Sequence, residues 1–459
     1  MSRTLWTNPD RPIADLDELR TRARAVLAQN DKGTMVTAAP NLYPHQWSWD
    51  AAFVATGLST VGVPRALAEL DHLLAAQWDS GMIPHIVFAD EVQLRGAGLR
   101  GAGYFPGVDR WRTERASPAG VKSSGICQPP VHATLVRRIV ERATSRGGED
   151  GRLAEDFARR TLPQWIRWHE WMRRARASDR SGLVTIYHGW ESGMDNSPRF
   201  DGPYSRVHPG DLEPFVRTDT RIVEDASQRP SDEEYARYLW LVQQMADVRF
   251  DDARLPGAVD FQVKDVFMSA AFAAANEDLA VLAERFGHSD EVTRLREWSA
   301  EFREGVDAAV DPATGLARDR DLLTGEWISL PTIAGFAPLL STADPALRAA
   351  QLVLIEGPEW AGDPRLAFPL PPSTSTTSPL LRPREYWRGP VWPVMTWYIA
   401  EAMRRHGDGG RYARWREASI AQLMEGHFGE YYEPFTGEPL GSYHQSWTAA
   451  VALEWLDGS

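Results

Sequence analysis

Cysteine is almost missing from this chain. Cys127 is the single one in 459 residues, so no intrachain disulfide can form and no cysteine cluster can hold a metal. It has no evident activating neighbour in the sequence, and a small, buried, apolar role is expected of it. Basic charge is also short: 50 Lys and Arg against 63 Asp and Glu leave −13 at neutral pH. Nucleic-acid backbones need a basic face, so no nucleic-acid partner is expected, and an anionic substrate has to be attracted locally against the overall field. The opening MSRTLWTNPDRPIADLDELR has no apolar signal-peptide core, and no run of about 18 apolar residues follows. The expectation is a soluble, cytoplasmic protein with no membrane partner. Its oligomeric state, homo-oligomer or monomer, is left open.

Chemical signatures are missing as well. The eleven histidines are scattered, with no HExxH and no His/Asp cluster at metal spacing, so no metal site is expected. GxGxxG, Walker and GxSxG motifs are absent, as are βαβ alternation and any short internal repeat.

What is there begins with helices. Phe272, Ala275, Leu279, Leu282 and Phe286 fall at spacings of three and four, with Gly287 as a stop. Ser231 and Glu234 read as a capping box opening a stripe of Tyr235, Tyr238, Leu239, Val242 and Met245. Ser289 caps a further helical segment. Other candidates lie near 15–30, 47–61, 64–79, 129–145, 151–177, 344–356, 390–406, 409–425 and 442–456, with shorter pieces near 264–270 and 330–340. Strand signals are confined to 183–190 and 315–330. About a dozen helices without a separating linker suit a toroid of paired helices, in which rim loops build a pocket. We therefore expect one domain over 1–459, with insertions around 82–128, 187–230 and 358–388 forming a cap over an active site. Within the last, PPSTSTTSPL (371–380) has the composition of a mobile flap.

The acids carry most of the functional signal. YHGWESGMDNSPRFD (187–201) gathers Trp190, Glu191, Asp195 and Asp201 where Gly189, Gly193 and Pro198 break any regular element. FGEYYEPFTGEP (428–439) brings Glu430, Glu433 and Glu438 among rings. Two carboxyls from distant loops, one kept protonated by an apolar wall and one ionised to activate water, make the pair that glycoside cleavage requires. Each acid read singly is better explained as a helix cap, a turn former or a solvated rim group; only the two clusters together weigh evenly against that reading. NLYPHQWSWDAAF, GICQPP and REYWRGPVWPVMTWY supply polar groups interleaved with rings: Asp50, Gln128 and Arg388. Nineteen tryptophans fit either a large core or flat platforms for sugar faces; seven of them (Trp47, Trp49, Trp190, Trp387, Trp392, Trp397 and Trp447) fall in or beside these segments.

Taken together, WSWDAAF, GWESGMDNSPRFD, YWRGPVWP and GEYYEPFTGEPLG…YHQSW resemble the bacterial members of glycoside hydrolase family 63, of the glucosylglycerate and mannosylglycerate hydrolase type, from about residue 41 onward. The resemblance implies an all-α (α/α)6 barrel with long loop insertions capping one rim, and an inverting hydrolysis that needs no cofactor. It makes Asp195 the general acid and Glu430 the general base. It puts Trp47, Asp50, Gln128, Trp190, Glu191, Arg388 and Trp447 around the cleaved sugar, and Tyr43, Tyr104, Tyr386, Trp387 and Gln445 on the acceptor side. An inverting pair leaves room for water, so roughly 6.5–9.5 Å is expected between the two carboxyls. The expected substrate is a small α-glycoside, 2-O-α-D-glucosylglycerate first and its mannosyl analogue second. A trehalase or other α-glucosidase, a sugar epimerase on the same barrel, and a non-catalytic carbohydrate-binding barrel are the competing readings.

Overall fold

The computed structural model describes residues 12–40, 42–90, 105–217, 219–221 and 225–457. The helices used below are α1 (Leu16–Asn30), α2 (Ser48–Leu58), α3 (Val63–Leu74), α4 (His132–Arg146), α5 (Gly148–Trp171), α6 (Asp232–Asp247), α7 (Val266–Arg285), α8 (Ser289–Ala308), α9 (Pro338–Ser341), α10 (Pro345–Ile355), α11 (Pro393–Arg405), α12 (Gly409–Leu423) and α13 (Ser446–Asp457).

An inner ring closes on itself. α2 packs on α4, α4 on α7, α7 on the short α9, α9 on α11, α11 on α13, and α13 returns to α2. Each inner helix also packs against an outer partner: α2 on α3, α4 on α5, α7 on α8, α9 on α10, α11 on α12, and α13 on α1 from the far end of the chain. Six such hairpins make the (α/α)6 barrel. Sequence patterning follows the layers. Every residue of α2 is buried, as is nearly every residue of α7, whereas outer helices such as α1 bury a single stripe. α7 runs unbroken from Val266 to Arg285, where the periodicity suggests two pieces, because a helix surrounded on all sides has no polar face to mark its phase. It is long and apolar enough to cross a membrane, but the barrel buries most of that surface. α6 lies outside the ring and starts at the expected capping box: Ser231 Oγ accepts from the Glu234 amide while Glu234 reaches back to the Ser231 amide.

The strands are short. β3 (Val184–Ile186), β4 (Val263–Asp265), β5 (Asp319–Asp321) and β6 (Trp327–Ile328) form one antiparallel sheet in that order, so the two expected strand segments are joined through residues that read as helical. β1 (Gln46–Trp47) pairs with β2 (Ile86–Val87), and β7 (Tyr431–Tyr432) with β8 (Pro439–Leu440). The expected flap at 371–380 is corrected. Ser373, Thr374, Ser375 and Thr376 are buried, Ser373 O accepts from the Ile333 amide, and the Ser375 and Thr376 amides donate to Pro331 O and Glu359 O. Its small polar residues serve to pass backbone through a tight space.

The ring closes where α2 meets α13. A Cβ added at Gly57 would lie 2.5 Å from Ala450 Cα and 2.9 Å from Ala450 O, so only glycine allows this approach. Gly57→Ala is expected to destabilise the protein by about 1–3 kcal/mol through overpacking, although alanine is better than glycine by about 1 kcal/mol in an open helix. Urea denaturation decides this, since unchanged or increased stability would mean the seam is loose.

Candidate active site

The starts of α2 and α13 and the segments leading into α4 and α11 border a narrow cavity of about 70 Å³. Trp47, Trp49 and Asp50 enter from the start of α2, Gln128 from just before α4, Tyr386 from before α11, and Gln445 and Trp447 from the start of α13. Trp190, Gly193 and Asp195 come from the irregular loop after β3, Arg229, Pro230, Tyr235 and Tyr238 from the approach to α6 and its first turns, and Glu430 from the residue before β7. Helix N-termini carry partial positive charge, which suits a site that must hold anions.

Three carboxyl groups share this space. Burial pushes Asp195 up to about 7, with Glu430 adding to the rise and Arg229 opposing it. Burial also raises Glu430, but Arg229, the Ser442 amide and the Tyr43 hydroxyl all work to keep it ionised. The Ser442 N–H donates to Glu430 Oε2 at 3.1 Å, and Arg229 Nη1 donates to the Tyr43 hydroxyl at 2.8 Å, so a chain runs from guanidinium through phenol to carboxylate. Asp50 is driven well above the normal carboxylate range by burial, then by Glu430 and Asp195. The environments therefore diverge. Asp195 keeps a proton near neutrality, whereas Glu430 is surrounded by donors that favour its charge. Backbone geometry leaves room for the Glu430 carboxyl: Gly441 has φ +72°, and a Cβ there would lie 2.6 Å from Glu430 Oε2.

The walls are rings with spare donors. Trp49 meets Trp447 edge-on at 5.4 Å, and His85 stacks on Trp190 at 6.2 Å; burial, then His188, pushes the His85 pKa far down, so it lies there as a neutral plate. Gln128 Oε1 accepts from the Trp49 amide at 3.3 Å, and Gln445 Oε1 from Ser442 Oγ at 2.5 Å, which fixes both side chains and leaves their NH₂ groups without a partner among the described residues. The Trp447 indole N–H is buried without a partner among the described residues. Flat apolar faces alternating with unspent hydrogen-bonding groups suit a hexose, whose rims are polar and whose faces are not.

Comparison with known proteins agrees with this geometry. A family model described as the mannosylglycerate hydrolase MGH1-like glycoside hydrolase domain matches residues 43–448. The chain belongs to this group of glycoside hydrolase family 63. It is 51% identical over 454 residues to the glucosylglycerate hydrolase of Mycolicibacterium hassiacum, covering 98% of this chain and 100% of that one. The mannosylglycerate hydrolase of Thermus thermophilus is 38% identical over 436 residues, 95% and 99% of the two chains. A crystal structure of a Thermus thermophilus mannosylglycerate hydrolase in complex with Tris and D-glycerate superimposes with a TM-score of 0.85 at 38% identity, covering 95% of this chain and 100% of that chain. A bacterial glucoamylase with acarbose, 11% identical with a TM-score of 0.51 over 98% of this chain and 57% of that one, shares the fold alone.

In this glycoside hydrolase ten of the fourteen residues expected at the site line the cavity: Tyr43, Trp47, Asp50, Gln128, Trp190, Asp195, Tyr386, Glu430, Gln445 and Trp447. Tyr104 lies outside the described residues. Three others stand behind the wall, and their placement is a correction. Arg388 grips Asp201 with Nη1 at 2.7 Å and Nη2 at 2.8 Å and donates to Asn196 O, so its charge is spent on bracing the Asp195 loop. Trp387 stacks on Trp392 at 3.7 Å, and its amide donates to Asn196 Oδ1. Glu191 is wholly buried: Oε2 accepts from the Tyr187 amide at 2.7 Å, while Oε1 takes Arg176 Nη2 at 3.1 Å and the Cys127 amide at 3.4 Å. Arg176 ends a π-turn (Met172–Arg176), held between the rings of Trp171 and Tyr187. This ion pair ties the Trp190 side of the pocket to the Gln128 side.

The sequence reading missed Arg229, Tyr235, Tyr238 and His85. The tyrosines fit the core stripe of an amphipathic helix equally well, and nothing local separates Arg229 from a surface arginine. The one usable signal was its place in a long aperiodic stretch, directly before a Pro and a capping box.

Two outcomes follow from these charges. Glu191→Gln leaves Arg176 buried with its main partner neutral and is expected to lower stability by about 3 kcal/mol, read by urea denaturation. Asp195 has a folded pKa near 7 against an unfolded value of 3.8, so its ionisation opposes folding increasingly between those two pH values and by a constant amount above them. Asp195→Asn is thus expected to raise stability by a few kcal/mol at pH 8 and by almost nothing at pH 4. A pH-independent difference would show that Asp195 is not held protonated.

Proposed function

We propose that this enzyme hydrolyses 2-O-α-D-glucosylglycerate to glucose and glycerate with inversion, with 2-O-α-D-mannosylglycerate as the second substrate. Asp195 delivers its proton to the glycosidic oxygen as the bond to the anomeric carbon breaks. Glu430 removes a proton from the water that attacks the same carbon from the opposite face, so the new C–O bond has inverted configuration. Asp50, Gln128 and Trp447 supply the hydrogen bonds to the sugar hydroxyls, and the tryptophans cover its faces. No step calls for a metal or organic cofactor.

The observation that carries the substrate class is Arg229. It is the only Lys or Arg among the described lining residues, it is buried, and its Nε rests on Asp219 at 3.3 Å while its guanidinium lies 4.5 Å over the Tyr386 ring. Its hydrogen bonds to the described residues use Nε and Nη1, which leaves the Nη2 arm of the fork for a carboxylate. A neutral disaccharide such as trehalose offers the free guanidinium arm only hydroxyl acceptors, whereas a glycerate aglycone offers a charge-assisted pair. The higher identity to the glucosylglycerate hydrolase than to the mannosylglycerate hydrolases supports glucose as the preferred sugar. An epimerase would need a pair of histidines as acid and base, whereas the described lining has three carboxyls and one histidine, His85, which burial keeps neutral.

Sugar release from glucosylglycerate, mannosylglycerate, glucosylglycerol and trehalose tests the reading, and NMR of the first-formed anomer tests inversion. Asp195→Asn and Glu430→Gln are each expected to reduce turnover by several orders of magnitude while substrate still binds. Arg229→Met is expected to reduce kcat/KM for glucosylglycerate about 10- to 100-fold more than for glucosylglycerol. Equal losses on both substrates would detach Arg229 from the aglycone.

A further inference from the structure

A second and larger cavity, about 670 Å³, opens between α4, α7, α8, α9, α10 and α11, and no residue lines both it and the catalytic pocket. Its walls carry six arginines against four carboxylates, in a protein whose net charge is −13. Most of that charge is committed. Arg137 and Arg405 bind Asp278, Arg137 also holds Glu141, and Arg138 and Arg404 bind Glu401. Glu277 is shared with Arg296 at 3.6 Å.

Arg303 and Arg348 are different. Arg303 donates only to Ser299 Oγ at 3.2 Å, Arg348 only to the Thr342 carbonyl at 2.6 Å, and among the described residues no carboxylate lies within ion-pair distance of either. The Nε of each is shielded from solvent without an acceptor among those residues. Asp307 is the nearest acid that both influence, but it accepts from Thr342 Oγ1 and burial raises its pKa. His406 at the rim has its pKa lowered by burial and then by Arg348, Arg405 and Arg303, which reports positive potential at that point. The wall also holds spare hydroxyls. Ser341 Oγ is buried with no partner among the described residues, and Thr134 and Tyr398, both more than nine-tenths buried, reach no carbonyl or carboxylate there. Even a bond between those two would leave one hydroxyl proton unused.

We propose that this cavity binds a small phosphate-bearing anion, inorganic phosphate or a phosphate ester, held by Arg303 and Arg348 with hydroxyl donors beside them. Two guanidiniums with no described carboxylate within ion-pair distance match an anion, their planar forks match phosphate oxygens, and the volume lies in the range of small-molecule sites. Two of the helices lining it, α4 and α11, are those into which the Gln128 and Tyr386 segments lead from the catalytic pocket.

Titration calorimetry on the whole protein tests this with inorganic phosphate and with glycerol phosphate, each against sodium chloride at equal ionic strength. Saturable binding of phosphate is expected, retained by Arg229→Met and weakened by about tenfold or more in the Arg303→Ala/Arg348→Ala double variant, whose sugar release stays within about twofold of the parent. If glycerol phosphate alone binds, and loses affinity with Arg229→Met, the catalytic pocket is the receptor and the proposal fails. It fails equally if neither ligand binds, or if the double variant binds unchanged. Should that variant not fold, Thr134→Val/Ser341→Ala is titrated instead, with the same weakening expected and undiminished affinity counting against the site.

Discussion

The structure around the catalytic pocket depends on one constraint: three carboxyl groups and a single guanidinium are enclosed together in a space that leaves little room for water. In bulk solvent Asp50, Asp195 and Glu430 would all be ionised and equivalent. Inside, desolvation raises all three, and the protein separates them only by where it places donors. Glu430 has the Ser442 amide and the Arg229–Tyr43 chain; Asp195 has an apolar wall and a neighbouring negative charge. In the proposed mechanism that asymmetry separates an acid from a base.

Holding such an arrangement needs rigidity behind it, because water entering the pocket would return every pKa toward normal. The inner ring gives each pocket segment a fixed helix start. Behind the wall, ion pairs lock the loops to one another: Arg176 with Glu191 and Arg199 with Asp265 and Asp319 are buried, and Arg388 with Asp201 is half-exposed. A buried pair contributes little net stability, since desolvating both ions offsets their attraction, but breaking one leaves a charge stranded. Such pairs therefore specify one geometry more than they stabilise the fold. This explains why Glu191 and Arg388 read as binding residues in the sequence: they sit in the motifs because the motifs need them as braces.

How far the sequence could be read follows from the same physics. Outer helices declared themselves by an apolar stripe, and the capping box at Ser231 marked α6 to the residue. The course of α7 and the strand β4 were obscured because segments buried on nearly all sides have no polar phase, whereas β3, β5 and β6 fall in the expected strand segments. Asp195 and Glu430 were legible through their loops of Gly, Pro and rings. Arg229 was not, since its significance lies in Tyr43, Asp219 and Tyr386, which reach it from 10 to 186 positions away. Glu191 and Trp387 show the converse failure. Proximity to a motif reveals the neighbourhood of a site, whereas facing the cavity or backing it is decided by a turn of the chain that no spacing records.

The charge balance also bears on why an anionic aglycone suits this pocket. Burial favours the neutral form of all three lining carboxyls, so Arg229 is opposed by less negative charge than their number suggests, while the protein as a whole carries −13. A glycerate carboxylate seated on Arg229 weakens the pull of that cation on Asp195, one of the influences that lowers its pKa. It adds negative charge nearby as well. Both effects favour the protonated acid. The substrate would thus raise the pKa of the group that must give it a proton, so a free-enzyme value of about 7 becomes higher in the complex. Glu430 would feel the same shift, but it retains the Ser442 and Tyr43 hydrogen bonds that Asp195 lacks. On the proposed reading, the carboxylate is recognised by Arg229 and at the same time primes the acid, which a neutral glycoside cannot do.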